Sequence, residues 1–299
     1  MSKICVKLYS RNVFSVNYQT DEPLELLNLL YPEEPSNQLK HDNEREGNFQ
    51  LSSIVEQKFQ NSKSHASSSD IETRPDPGRE QRKGTPEIIF GESKDVAQII
   101  AMAQGLLKGS GRAIISRVRP EAIAPLQEAF QAYTVSVREA ARAVVIYRPD
   151  YVRRRTGGFI GVISAGTSDI PVAAEAALIA EEMGCQVTCI YDVGVAGLHR
   201  LIEPLRDLLS NGVDAIVVAA GMDGALPSVV AGLVPVPVIG LPTSIGYGLG
   251  GKGIAALLSM LQTCAPGLSV VNIDNGVGAG TTAALIANRV AQAREHQLQ

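Results

Sequence analysis

Five runs rich in Val and Ile, at 159–164, 186–192, 214–220, 236–241 and 268–273, alternate with stretches of helical period at 171–183, 198–210, 226–233, 254–263 and about 281–294. This alternation constrains the chain more than anything else in it. The runs lack the polar–apolar alternation of a half-exposed strand, so both of their faces are expected to be buried. Strands joined by helices, repeated five times, predict a parallel sheet with helices on both sides, a doubly wound (flavodoxin-like) α/β domain. The fourth run is the weakest, because Pro237 cannot donate to a ladder.

Upstream the pattern changes. Residues 33–83 are polar and uneven, with a Ser-rich stretch at 62–69 and the turn-forming Pro75-Asp76-Pro77-Gly78. Their scattered apolar side chains cannot offset ordering entropy, which predicts linker or disorder. Before them, Ile4, Val6 and Leu8 alternate with Cys5 and Lys7 and predict one or two short strands. Residues 86–149 read as a small α/β unit, with strands at 88–90, 113–118 and 143–147 and helices at 95–108 and 120–130. The expected organisation is therefore a polar N-terminal extension over 1–83, a small α/β domain over 84–153 and the doubly wound domain over 154–299.

Composition removes several function classes. Lys and Arg number 27 against 31 Asp and Glu, a net charge of −4 in 299 residues. A nucleic-acid partner is not expected, since phosphate neutralisation needs a basic surface. Aromatic residues are 5% and Trp is absent, which leaves little for base stacking. No apolar run approaches bilayer length, and the N-terminus does not read as a secretory signal. The four cysteines have no regular spacing, which fits reduced thiols and a cytoplasmic location.

In a parallel sheet of this kind, ligands bind beyond the carboxyl ends of the strands. The five loops there are Ser164-Ala165-Gly166-Thr167-Ser168-Asp169, Asp192 to Arg200, Ala220 to Ala225, Pro242 to Gly253, and Asp274 to Gly280. Each contains Gly and at least one polar or ionisable side chain. Glycine lets backbone N–H groups approach an anion, and a following helix adds its positive end, so the set suggests a phosphorylated or carboxylated ligand. A single such loop is as readily explained by the turn it makes. Gly246 to Lys252 fits G-x-x-x-x-G-K, but Gly253 stands where a P-loop needs Ser or Thr. Lys252 is kept as a phosphate contact and the nucleotide-hydrolase reading is rejected. Gly276-Val277-Gly278-Ala279-Gly280 does not complete a dinucleotide fingerprint, because Thr281 takes the last position.

Single residues carry two readings each. His199, beside Arg200 at a helix start, is an acid–base group or phosphate contact, or a plain surface histidine. Asp169 is a ligand carboxylate, a helix cap ahead of Pro171, or both. Asp223, between Gly221 and Gly224, has little local reason to be acidic. Asp192 and Asp274 stand at strand ends, where they read more weakly as contacts to a ribose or a metal. Cys185 and Cys189 read as small core residues. Cys264 ends a helix, where the dipole does not activate a thiol. It also lies before the fifth strand, opposite the carboxyl-end loops, so only a neighbouring subunit could bring it to such a site.

Three features resemble the aminoimidazole ribonucleotide carboxylases and mutases of purine synthesis: Ser164 to Asp169, the pair His199-Arg200, and Val236-Pro237-Val238-Ile239-Gly240-Leu241-Pro242. The closer resemblance is to the LarB family, the pyridinium-3,5-biscarboxylic acid mononucleotide synthases of nickel-pincer nucleotide biosynthesis, which serves lactate racemase. It rests on Arg82-Lys83-Gly84-Thr85-Pro86-Glu87 and the segment after it, Asp192 to Arg200, Gly221 to Ser228, and Val271 to Gly280, and it covers about residues 80–295. Some members of that family carry the label circadian phase modifier, which names a phenotype.

The resemblance implies a carboxylase that is also a phosphoanhydride hydrolase. Its substrates would be nicotinic acid adenine dinucleotide and CO₂ from bicarbonate, with a divalent metal such as Mg²⁺ whose ligands the sequence does not identify. The family's nucleophilic cysteine falls on Cys264. Its carboxylate in the Gly-Met-acid-Gly segment falls on Asp223, where Glu is usual; the shorter Asp sets the carboxyl group about one methylene back. Asp169 would position substrate or metal. Gly166, Thr167, Ser168, His199, Arg200, Gly246, Gly248, Gly251, Lys252, Asp274, Asn275 and Gly276 would bind substrate and its phosphates. A homo-octamer or other homo-oligomer is implied, with sites at subunit contacts. Two competing readings remain: a purine-type carboxylase or mutase that needs no thiol, and a non-catalytic nucleotide-sensing protein.

Overall fold

The computed structural model of the protein describes residues 73–297. The strands expected in the first 18 residues, Cys5, and positions 33–72 of the polar segment lie outside the described residues. Its last part, grouped with the linker by composition, holds the helical turn α1 (Arg79–Lys83). Pro75 and Pro77 explain the order there. They seat on the next helix where Gly105 and Gly109 leave room, since a Cβ at either glycine would stand 2.4 and 2.3 Å from a proline carbon. Asp76 then pairs with Arg82 at 2.6 Å.

The first sheet has four strands in the order β1 (Ile88–Phe90), β2 (Arg112–Ser116), β4 (Ala143–Tyr147) and β3 (Thr134–Arg138). β1 and β2 are parallel and the other pairs antiparallel. The helix α2 (Val96–Ser110) begins in a capping box: Asp95 accepts from Gln98 N–H at 2.7 Å and Gln98 returns the bond to Asp95 N–H. With α3 (Pro120–Ala129) it covers one face of the sheet, burying Ile89, Ile115, Val144 and Ile146 against Leu106, Leu126 and Phe130.

The second sheet is all parallel, in the order β6 (Gln186–Ile190), β5 (Phe159–Ser164), β7 (Ala215–Ala220), β8 (Val238–Pro242) and β9 (Leu268–Val270). This is the doubly wound order that the sequence pattern predicts. Pro237 stands just ahead of β8 and only accepts, from Ile216 N–H at 3.0 Å, so the missing donor does not interrupt the ladder. Alternate residues of β5 face opposite layers. Ile160 and Val162 pack on α4 (Ile170–Glu182) and α8 (Gly276–Gln297). Phe159 and Ile163 pack on α5 (His199–Ser210), α6 (Leu226–Ala231) and α7 (Ile254–Leu261).

The two sheets share α4. Ile114 and Val145 turn the second face of the first sheet onto the same core as Ala173, Ala177 and Leu178. At the C-terminal end of α4, Glu182 is fully buried and is held by Arg112 at 3.1 Å, by the Tyr147 hydroxyl at 2.7 Å, and by Arg153. Burial beside that carboxylate pushes the Tyr147 hydroxyl up to about 12.

Candidate active site

The order of the second sheet reverses between β5 and β7, so the loops leaving these strands diverge and open a crevice at the switch point. A cavity of about 490 Å³ lies there. Of the residues singled out from the sequence, it brings together Gly166, Ser168, Asp169, Asp223 and Gly246. Val195, Met222, Ile245 and Tyr247 supply apolar walls. A polar floor with apolar walls suits a flat ring that carries a charged substituent.

Asp169 is the buried acid of this cavity, only 4% exposed. Its side chain does not cap α4. It reaches back to Gly166 N–H at 2.9 Å and across to the Thr243 hydroxyl at 2.6 Å. Burial pushes its carboxyl above the usual aspartate value; the bonds from Thr243, Gly166 and Gly221 oppose the shift, and the Asp274 charge adds to it. Asp223 is exposed, and its carboxylate accepts a long 3.4 Å bond from Ala225 N–H. Gly221 is required by close approach: a Cβ there would stand 2.1 Å from the Ile245 carbonyl oxygen.

Among the described residues, six that are not glycine have left-handed backbone: Arg117, Arg142, Asp192, Met222, Lys252 and Asp274. Four of them, Arg117, Asp192, Met222 and Asp274, follow strand ends, in keeping with strain gathering at the rim of the sheets. Asp192 holds Arg200 at 3.0 Å on the surface. Asp274 accepts from Ser244 N–H at 2.8 Å and lines a second, adjoining cleft of about 320 Å³. Ser168 and Ile245 line both hollows. The second cleft also contains Arg117 and Arg142 of the N-terminal module, which the sequence reading passed over.

Other singled-out residues stand elsewhere. Thr167, His199, Arg200, Gly248, Gly251 and Lys252 line neither hollow. Asn275 accepts from Gly278 N–H at 2.8 Å and so caps α8. The glycine run read as a loop is the first turn of α8. Gly276 and Gly280 let this helix approach α4, where added Cβ atoms would stand 2.6 and 2.2 Å from the Val172 and Ala176 oxygens. Gly276 is thus occupied by packing. Cys185 is buried and its thiol is pushed up to about 11, as expected of a core residue. Cys189 departs from that reading: it is exposed on the edge strand β6. Cys264 is exposed in the segment entering β9, at the opposite end of the sheet from the cavity. Among the described residues no group of three or more His, Cys, Asp or Glu side chains is placed to hold a metal ion, and no helix is long and apolar enough to cross a membrane.

Residues 159–299 match the family model for AIR carboxylase, and residues 70–148 match the LarB/PurE-like N-terminal domain. An uncharacterised protein of Methanocaldococcus jannaschii is 42% identical over 217 residues, 71% of this chain and 82% of that protein. The chain belongs to the LarB family, within the AIR carboxylase group. The N5-carboxyaminoimidazole ribonucleotide mutases of Thermotoga maritima and Mycobacterium tuberculosis are 32% and 35% identical. Their matches cover 42% and 47% of this LarB-family chain, and 73% and 77% of the mutases. The group to which the chain is related is thus one of carboxylases and mutases.

Proposed function

We propose that the protein carboxylates the pyridinium ring of nicotinic acid adenine dinucleotide and cleaves its phosphoanhydride, releasing AMP and pyridinium-3,5-biscarboxylic acid mononucleotide. The observation that carries this reading is the LarB-type module joined to an AIR carboxylase sheet whose switch-point cavity is polar at its floor and apolar at its walls.

A pyridinium ring is electron-poor and does not attack CO₂. The Cys264 thiolate of a neighbouring subunit adds to a ring carbon, which breaks aromaticity and leaves an enamine-like carbon. That carbon forms the new C–C bond to CO₂. Loss of its proton and expulsion of the thiolate restore the ring, so one difficult step is split into easier ones. Asp223, exposed at the cavity rim, accepts the proton. Asp169 positions the substrate. Water supplies the atoms that cleave the anhydride.

A homo-oligomer is part of this proposal, because Cys264 and the cavity of one chain are at opposite ends of the sheet. The surface leading to Cys264 is suited to burial. On α7, Ile254, Leu258 and Leu261 recur at helical spacing and are 51%, 58% and 62% exposed. The Mg²⁺ expected from the resemblance has no side-chain cage among the described residues, and no step is assigned to it.

The second reading, an aminoimidazole ribonucleotide mutase, is favoured by the identity to the two mutases. Product analysis separates the two. The purified protein, offered nicotinic acid adenine dinucleotide with bicarbonate and, separately, N5-carboxyaminoimidazole ribonucleotide, should turn over the first and leave the second unchanged.

A further inference from the structure

The N-terminal module does more than cover α4. Arg117 follows β2, and Arg142 precedes β4; the two strands are antiparallel neighbours, so both arginines emerge at one edge. That edge abuts the carboxyl ends of the second sheet, where the second cleft adjoins the switch-point cavity through Ser168 and Ile245.

The charged groups of the cleft are Glu92, Arg117, Arg142, Glu175 and Asp274. Most are already engaged. Glu175 accepts from the Ser116 hydroxyl and from Arg117 at 3.4 Å. Asp274 accepts from Ser244 N–H, while its carbonyl receives Arg117. Glu92 pairs with Arg117 at 3.6 Å. The side chains left without a partner among the described residues are Arg142, Ser168 and Ser244, and all three can donate hydrogen bonds. Arg142 is exposed at the end of the turn Glu139–Ala141, with φ 50°. Free donors standing together mark an anion site, and an arginine among them suits a phosphoryl group.

We propose that this cleft is a second anion subsite, in which the Arg142 guanidinium and the Ser168 and Ser244 hydroxyls hold the phosphoryl-nucleoside half of an extended substrate whose other half lies in the switch-point cavity. This deepens the dinucleotide reading and rests on it. It also gives the N-terminal module a task. The mutase relatives match less than half of this chain, about the length of the AIR carboxylase region alone, and both arginines lie outside that region.

The test is calorimetric titration of the full chain and of Arg142→Gln and Arg142→Lys, with AMP, nicotinic acid mononucleotide and nicotinic acid adenine dinucleotide as probes. Charge-assisted bonds of this kind predict that Arg142→Gln weakens AMP and the dinucleotide by about tenfold or more. The mononucleotide should change less than about twofold, and Arg142→Lys should recover part of the loss. The exposed Arg142 side chain forms no hydrogen bond or ion pair among the described residues, so the variants should unfold at the wild-type temperature. An equal loss for all three probes, or none for the dinucleotide, overturns the subsite alone. A wild-type chain that binds the mononucleotide but neither AMP nor the dinucleotide overturns both the subsite and the dinucleotide reading.

Discussion

The Thr243 hydroxyl donates a 2.6 Å hydrogen bond to the buried carboxylate of Asp169, tying the loop after β8 to the loop after β5 across the floor of the cavity. Thr243 is itself fully buried. Thr243→Val removes the donor and keeps the shape. The loss of a bond to a buried carboxylate should destabilise the fold by about 1–3 kcal/mol. Urea unfolding of the two proteins measures it, and an unchanged midpoint would mean that the bond contributes nothing.

Burial raises the Asp169 carboxyl above its ordinary value of 3.8. The folded state therefore holds this proton more tightly than the unfolded chain. The stability it contributes is full below the unfolded value and is lost as pH rises through the folded value. Asp169→Asn cannot titrate. The stability of the wild type relative to Asp169→Asn should therefore fall as pH is raised from about 3.8 upward, read from urea midpoints across pH. A difference that grows with pH would contradict the assignment.

Arg112 and Glu182 are 2% and 0% exposed and join the N-terminal module to α4. Arg112→Met leaves a buried carboxylate short of one partner, although Tyr147 and Arg153 remain. Breaking such a pair from one side costs about 3–5 kcal/mol. Thermal unfolding should register a large drop in Tm with the two-sheet core still formed; a surface-like change under about 0.5 kcal/mol would show that the pair is dispensable.

The sheet was legible because its central strands β5, β7 and β8 are buried along their whole length and carry their hydrophobicity without interruption; the edge strands β6 and β9 are partly exposed, against the expectation of burial on both faces. β3 was not, since Thr134–Arg138 is only five residues long and none of them is fully buried, so its strand-like alternation does not stand out from the neighbouring turns. The start of α8 was missed for a related reason: glycines read as loop from sequence, and only the neighbouring α4 shows that Gly276 and Gly280 permit close helix packing. Asp169 and Asp223 could be picked out because a strand end followed by glycine marks the rim of a parallel sheet. Arg117 and Arg142 could not, because the antiparallel pairing of β2 and β4 places them there. An arginine immediately after a short buried strand was the only local sign.

The thiols should separate by accessibility. Cys264 is exposed, whereas Cys185 is buried with its thiol pushed up to about 11. At neutral pH, iodoacetamide followed by peptide mapping should modify Cys264 well before Cys185. Prior labelling with Cys185 as the faster site would contradict the packing described.

The central claim is the cysteine-dependent carboxylation. Wild type and Cys264→Ser are incubated with nicotinic acid adenine dinucleotide, Mg²⁺ and carbon-13 bicarbonate, and the products are resolved by mass spectrometry. Cys264 is exposed, so its replacement should alter stability by less than about 0.5 kcal/mol. The account predicts AMP and a labelled dicarboxylated pyridinium mononucleotide from the wild type, and no labelled product from the folded variant. Labelled product at the wild-type rate from Cys264→Ser, or none from a folded wild-type oligomer, would contradict it.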